Sequence, residues 1–408
     1  MTILVCGTFD TKADELGFVA DTIRAQGADV LTMDVSVLGD PPAPTDVSKH
    51  DVAEATGFSI AEAASAQDEN AAMQIMARGS ALLAARLHAE GRFDGALVLG
   101  GTMGTDLALD LVSALPLGIP KVIVSTVAFS PLIPPERIPP DAQMVLWAGG
   151  LHGLNDLCRS TLAQAAGAVV GAARVAIPLE RKPAIGMTSL GSSALTYMKR
   201  LHPALTQRGF AVPIFHATGM GGRAFEALAA DGHFSAVLDL CTQEVGNHAH
   251  GSRVSAGPDR LTAAGRAGVP QIVAPGCHDL VDLPGAEPLP EKWTNHTTHA
   301  HNRLLTSVVL DADERRAVAL AHCERLARAT GPTVFLMPLH GTGEWDRDGA
   351  PLEDKAGLAA FVETFEANVP DNVEYRALDA HINDETFSDA VLDVLDEWLT
   401  HGTVPSPV

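Results

Sequence analysis

Short uninterrupted apolar runs, each closing in a turn rich in glycine, hydroxyl or charged residues, recur along this chain. In the first half they are Thr2 to Cys6, Val30 to Val35, Ala96 to Leu99 and Lys121 to Ser125. A strand covered on both faces has no polar side to show, so an unbroken run predicts a buried parallel strand. Ala13 to Gln26 and the Ala-rich Glu69 to Glu90 read as the connecting helices, Asp106 to Val112 as the start of a third, and Asn155 to Ala173 as another. Gly39 to Thr45 reads as a loop. Phe129 to Gln143, with five prolines, reads as an irregular excursion.

The second half repeats the first. Gly91-Arg92-Phe93-Asp94-Gly95-Ala96-Leu97-Val98-Leu99 matches Gly232-His233-Phe234-Ser235-Ala236-Val237-Leu238-Asp239-Leu240. Gly118-Ile119-Pro120-Lys121-Val122-Ile123-Val124 likewise matches Gly268-Val269-Pro270-Gln271-Ile272-Val273-Ala274. Each pair spells helix end, turn, strand. In the same register Ala184 to Met187, with Thr188 to Ser193 behind it, corresponds to the opening strand and its loop. Strands at Val212 to His216, Thr333 to Met337 and Val373 to Leu378 and a closing helix at Glu385 to Leu399 complete the reading. The fold expected is α/β, two doubly wound Rossmann-like domains related by internal duplication, at residues 1–178 and 184–408 with a linker over 177–183.

Chemistry is expected where strands hand over to helices. Gly100-Gly101-Thr102-Met103-Gly104-Thr105 lies between a buried strand and a helix, which aims backbone N–H groups and a positive dipole end at an anion. Glycine lets the backbone approach the anion, and threonine adds hydroxyl donors. The second half carries its own glycine turn, Ala217-Thr218-Gly219-Met220-Gly221-Gly222-Arg223. Neither is the Walker pattern nor the full dinucleotide fingerprint.

Bulk properties narrow the partners. A formal net charge of −22 argues against nucleic acid or an anionic membrane surface, both of which want basic patches. A small anionic ligand stays open, because a local nest of N–H groups works against the global field. Five scattered cysteines with no CxxC pair fit a reducing, cytoplasmic setting rather than a disulfide framework. No signal peptide and no membrane-spanning run is visible. A homo-oligomer, in the simplest case a dimer, is the base expectation for a duplicated α/β protein of 408 residues.

Seven stretches together resemble a known family, the Tm-1-like ATP-binding proteins, also called UPF0261. They are GTFDTK at Gly7–Lys12, GGTMGT at Gly100–Thr105, LPLGIPKVIVST at Leu115–Thr126, GLND at Gly153–Asp156, FHATGMGGRAFE at Phe215–Glu226, AGPDRL at Ala256–Leu261 and HINDETF at His381–Phe387. The resemblance covers residues 3 to about 399. It implies ATP binding with a divalent cation, and self-association. It does not carry over the antiviral role of the family's plant namesake, since fold alone transfers no function.

With ATP as the implied ligand, the expected phosphate groups are Gly101, Thr102, Gly104 and Thr105, or Thr218, Gly219, Gly221, Gly222 and Arg223. Thr8, Asp10, Thr11 and Lys12 supply hydroxyls, a carboxylate for Mg²⁺ and a cation, and Asp106 is a second Mg²⁺-side carboxylate. The expected seat is the cleft between the two domains. A second reading, from a different class, is a metal-dependent metabolic enzyme acting on a phosphorylated or carboxylated small molecule. Its metal, Zn²⁺ or another divalent ion, would sit at His248, His250, His278 and Asp279, near the further histidines His296, His299 and His301. Glu226, Glu244 and His250 are its candidate acid–base groups. Cys241 and Cys277, each just past a strand, read as buried inert thiols.

Overall fold

The computed structural model describes residues 1–179, 182–191, 193–194 and 196–407. Residues 180 and 181 of the expected linker, Ser192 of the loop matched to GTFDTK, Leu195 and Val408 lie outside these. The chain folds as two compact units, residues 1–180 and 181–408.

The first unit runs β1 (Thr2–Gly7), α1 (Ala13–Ala25), β2 (Asp29–Asp34), α2 (Lys49–Glu54), α3 (Ile60–Ala64), α4 (Glu69–Ala89), β3 (Gly95–Gly100), α5 (Thr102–Ser113), β4 (Lys121–Ser125), β5 (Ala142–Leu146) and α6 (Asp156–Val175). Its strands form one parallel sheet in the order β2-β1-β3-β4-β5. The unbroken apolar runs serve both faces of it. Leu4 and Cys6 of β1 join Ala96 and Val98 of β3 in a core with α4 and α5. Their alternates Ile3, Val5, Leu97 and Leu99 pack on the other side with Leu16 and Val19 of α1 and Leu162 and Val169 of α6. Side chains alternate across a strand, so two covered faces require two apolar sets.

The second unit runs β6 (Ile185–Ser189), α7 (Thr196–Gln207), β7 (Ile214–His216), α8 (Met220–Ala230), β8 (Ala236–Cys241), α9 (Gln243–Ala249), α10 (Ala263–Arg266), β9 (Gln271–Gly276), β10 (Leu280–Pro284), β11 (Thr298–Ala300), β12 (Leu305–Val309), α11 (Ala312–Leu326), β13 (Thr333–Pro338), α12 (Lys355–Ala367), β14 (Glu374–Leu378) and α13 (Glu385–Thr400). Its main sheet reads β7-β6-β8-β9-β13-β14, again parallel. Counted in chain order, both sheets are 2-1-3-4-5, with one strand more in the second. The sequence repeat therefore pairs structural equivalents: β3 with β8 and β4 with β9. Both sheets switch direction between their first and third strands, which opens a crevice at the carboxyl ends of β1 and β3, and of β6 and β8.

Three features differ from the expectation. β5 forms where the proline-rich excursion ends, as an edge strand whose residues are half-exposed or exposed. An antiparallel sheet, β10-β12-β11, is inserted after β9. And α5 begins at Thr102 and α8 at Met220, about four residues earlier than read, so Gly104, Thr105, Gly221, Gly222 and Arg223 lie in first helical turns rather than in loops. No helix among the described residues is long and apolar enough to cross a membrane.

Candidate functional site

In the first unit the crevice is built from the loop after β1 and the turn after β3. These strands are hydrogen-bonded neighbours, Cys6 lying opposite Val98, so Thr8, Asp10, Thr11 and Lys12 come to the same sheet end as Gly101, Thr102 and Gly104. Gly100 is required at the handover, because a Cβ there would overlap the backbone of Gly104. Gly101 is the N-cap of α5 and supplies no side-chain cap. The N–H groups of Thr102, Met103 and Gly104 meet no acceptor among the described residues, and Thr102 and Met103 are exposed. A helix start with bare N–H groups carries the positive end of the macrodipole into the crevice.

Thr105 does not join this site. Its hydroxyl donates to Gly101 O (2.7 Å) and shares a hydrogen bond with Ser125 Oγ (2.6 Å), buried between α5 and β4. It fastens the helix to the sheet. Asp106 is also committed: Arg137, from the proline-rich segment, ion-pairs with it and with Asp110 (2.6 Å), and Gln74 Nε2 donates to it at 3.2 Å. Asp10, by contrast, keeps one oxygen open. Its Oδ2 accepts Gly39 N–H (3.2 Å), while Oδ1 is buried with no hydrogen-bond partner. Asp34 at the end of β2 stands beneath it, accepting the N–H groups of Phe9 and Ser36, and its Oδ2 is likewise unpartnered. Ser36 links the two, since its Oγ bonds Asp34 and accepts Asp10 N–H (3.1 Å). Asp34, Ser36 and Arg137 were not singled out in the sequence. An Asp-x-Ser closing a strand beside the switch point is the signal that marks the first two.

The second glycine turn is a different object. It follows edge strand β7, so its topological equivalent in the first unit is the loop after β2, not the turn after β3. Gly219 adopts φ of +93°, which only glycine takes without strain. Its N–H and that of Gly222 (3.2 Å) both donate to Glu244 Oε1. A Cβ on Gly222 would overlap that carboxylate. The anion expected at this turn is therefore supplied from within the chain, and Gly219 and Gly222 have no N–H to offer an external phosphate. Thr218, Gly221 and Arg223 flank the same filled turn.

Glu244 belongs to a buried charge cluster centred on Arg260, which has no exposed surface. The guanidinium donates to Glu244 Oε2 (2.7 Å), to both oxygens of Asp239, to Glu226 Oε1 (3.2 Å) and to Cys241 O (3.1 Å). Glu226 also accepts the N–H groups of Leu261, Thr262 and Ala263 at the start of α10. Burial raises the pKa of both glutamates against the pull of Arg260. Their oxygens are taken up in holding α8, α10 and β8 together. That is a structural duty, and it replaces the acid–base role read for them.

The proposed metal set is not assembled. His248 Nδ1 meets Ser255 Oγ (3.4 Å), and His250 lies between Glu314 O (3.3 Å) and Lys292 Nζ (3.2 Å). Burial and the neighbouring Lys292 lower the His250 pKa, which suits none of the acid roles considered for it. His278 is buried, its Nδ1 against Thr342 Oγ1 (3.0 Å) and its ring 4.0 Å from that of Phe361. Asp279 is buried beside it, its pKa raised to about 7 by burial and by the charge of Asp346. The group that does converge among the described residues is His296, Asp311 and Glu314. Its two carboxylates already form the capping box of α11, and His296 Nε2 bonds Glu314 (3.0 Å). His299 and His301 pack against Trp345 instead. All five cysteines are buried and free.

With this geometry in hand, comparison with known proteins is decisive on kinship. The UPF0261 N-terminal domain matches residues 1–178 and the UPF0261 C-terminal domain residues 182–399, each described as an uncharacterised protein family. The chain belongs to the UPF0261 family. A UPF0261 protein of Brucella melitensis is 51% identical over 403 residues, covering 98% of this chain and 96% of that one. One from Clostridium tetani is 34% identical over 399 residues, covering 95% and 96%. The ToMV resistance protein Tm-1 of Solanum lycopersicum is 26% identical over 424 residues, covering 96% of this chain but 55% of that protein. A solved UDP-GlcNAc 2-epimerase of Methanocaldococcus jannaschii aligns at 9% identity and a TM-score of 0.22, covering 67% and 83% of the chains, too slight a likeness to add to the topology.

Proposed function

We propose that this UPF0261 protein binds ATP, or a related anionic nucleotide, with its phosphates at the N-terminus of α5 and the Gly7–Lys12 loop. The observation that carries this reading is the contrast between the two glycine turns: Glu244 accepts the N–H groups of Gly219 and Gly222 in one, while in the other the N–H groups of Thr102, Met103 and Gly104 meet no acceptor among the described residues, at the switch point of its sheet. Thr102 and Lys12 border the phosphates. Asp10 is the residue that would hold Mg²⁺, and its buried, unpartnered Oδ1 is the donor atom that fits a hard cation. Bound there, Mg²⁺ would neutralise phosphate charge in a protein that is itself strongly acidic. The same proposal includes a homodimer working in the cytoplasm. The metal-enzyme reading is not carried forward, because its four ligands do not converge on one point among the described residues.

Calorimetric titration of the full chain with ATP, with and without Mg²⁺, tests the proposal. Binding that strengthens with Mg²⁺ and weakens at least fivefold in Asp10→Asn or Thr102→Ala is expected. No binding at millimolar ATP under either condition sinks it. Native mass spectrometry of the same preparation reads the subunit number.

A further inference from the structure

Helices α7 and α13 of the second unit lie side by side and run the same way. Arg200 pairs with Asp389 (2.5 Å) and, further along, Arg208 pairs with Asp396 (2.6 Å), while the rings of Tyr197 and Phe387 meet at 6.3 Å. Both helices return from parallel strands, so both begin at the carboxyl end of the main sheet. Between their starts lies a cleft of about 360 Å³, walled by Thr196 and Lys199 of α7 and by Asn383, Asp384, Glu385 and Ser388 at the start of α13.

The start of α13 is left uncapped. Asp384 holds the N-cap position, yet its carboxylate accepts His381 N–H (2.9 Å) and Arg347 Nη1 (3.0 Å) rather than the helix. The N–H groups of Glu385, Thr386 and Phe387 meet no acceptor among the described residues, so the helix brings its positive end to the cleft. Two buried side chains of the same wall also lack partners. Asn383 is 5% exposed, and its Nδ2 donates to Ser193 O (2.8 Å) and Glu344 Oε2 (3.0 Å), neither of which lines the cleft. Its Oδ1 has no hydrogen-bond partner. Ser388 is 1% exposed, and its hydroxyl meets no partner among the described residues. Buried polar atoms of this kind call for a partner from outside the chain. The carboxylates in the wall are already paired, Asp384 with Arg347 and Glu385 with Arg200 (3.4 Å), whereas Lys199 has no ion-pair partner among the described residues.

We propose that this cleft binds a phosphate monoester of a small polyol. Its phosphate takes the N–H groups of α13 and the Lys199 ammonium, a free hydroxyl donates to Asn383 Oδ1, and the Ser388 hydroxyl bonds the ligand between them. A dianion suits a helix start beside a lysine, and an amide oxygen only accepts, so the ligand must carry a donor as well as a charge. The site is independent of the nucleotide reading, which concerns the first unit.

The test titrates the full-length wild type, Lys199→Ala, Lys199→Arg and Ser388→Ala calorimetrically with glycerol 3-phosphate, methyl phosphate and glycerate, and records the melting of each protein. Wild type should bind glycerol 3-phosphate about fivefold more tightly than methyl phosphate, which lacks the hydroxyl, or glycerate, which lacks the second charge. Lys199→Ala should weaken that binding at least about fivefold and Lys199→Arg by no more than about twofold. Ser388→Ala removes a hydroxyl with no internal partner, so it should melt as wild type does and bind about threefold more weakly. Absence of binding at millimolar glycerol 3-phosphate, or binding unchanged in both Lys199→Ala and Ser388→Ala, overturns the site. Methyl phosphate or glycerate binding as tightly as glycerol 3-phosphate overturns the ligand class.

Discussion

Two glycine turns, each between a strand and a helix, read alike in the sequence and do opposite things in the structure. At α5 the turn ends in N–H groups that meet no acceptor among the described residues, in exposed threonine and methionine, and near Asp10, one of whose oxygens is unpartnered among those residues. At α8 a carboxylate from within the chain sits in the turn: Glu244 accepts the N–H groups of Gly219 and Gly222 and is itself held by a fully buried arginine. What separates them is position in the sheet. One turn follows the third strand, at the switch point; the other follows an edge strand, where the first turn of α9 places the Glu244 carboxylate within reach. A helix N-terminus wants an anion, and the fold decides whether that anion is a side chain or a ligand.

The sharpest way to break this comparison is to remove the internal anion. Glu244→Gln leaves Arg260 short of a charged partner in the interior. Asp239 and Glu226 still balance its charge, so a loss of roughly 1.5–3 kcal/mol is expected in urea unfolding, the usual worth of a hydrogen bond to a charged group. Glu244→Gln of near wild-type stability would show the turn to be no tighter than the open one.

The second unit should also be the pH-sensitive one. Asp279, raised to about 7 in the fold, binds a proton there that the unfolded chain has released above pH 3.8, so it costs stability as pH rises from about 4 to 7. His322 works the other way: burial lowers it to about 4, the unfolded chain binds the proton more tightly up to 6.5, and stability rises with pH over that span. Asp279→Asn removes the first effect alone. Its unfolding free energy should therefore climb with pH more steeply than wild type across pH 4–7, by on the order of 2–4 kcal/mol in total at about 1.4 kcal/mol per pKa unit. Parallel curves for the two proteins would refute the assignment.

Alanine at matched glycines sharpens the contrast at smaller scale. Gly222→Ala drives a methyl into the Glu244 carboxylate and should cost about 1–3 kcal/mol. At Gly104 the added methyl would lie 3.7 Å from Leu99 O, an ordinary contact, within a helix that gains from alanine. Gly104→Ala should keep or raise the melting temperature. Smallest of all, Lys12→Ala should shift stability by less than about 0.5 kcal/mol while weakening ATP binding several-fold in the calorimetric titration.

The doubly wound sheets were legible because strands buried on both faces leave continuous apolar runs, and because Phe93–Leu99 and Phe234–Leu240 repeat each other at equivalent strands. β5 was hidden by the prolines before it and by its half-exposed residues, which carry no periodic signal. The starts of α5 and α8 were misplaced because glycine and threonine punctuate loops more often than they open helices. Of the site, the loop after β1 and the turn after β3 could be named from their residues alone. Arg260 could not be connected to Glu226, Asp239 and Glu244, since those three lie 16 to 34 residues away in the chain and only the sheet order brings them to one point. The histidines misled for the matching reason: closeness in sequence placed His248 and His250 on one short helix end, where their rings met different neighbours.

The burial of Arg260 has a consequence for how the second half comes into being. Its guanidinium donates to carboxylates from β8, α8 and α9, and only with all three in place are its buried hydrogen bonds complete. Partial assemblies of this half are thus penalised far more than an apolar core of equal size would be, and intermediates lacking one of these segments should be sparsely populated. Nascent chains ending before Arg260 would carry Glu226, Asp239 and Glu244 without the cation that draws them together, so this part of the C-terminal half should resist protease only once Arg260 has been made.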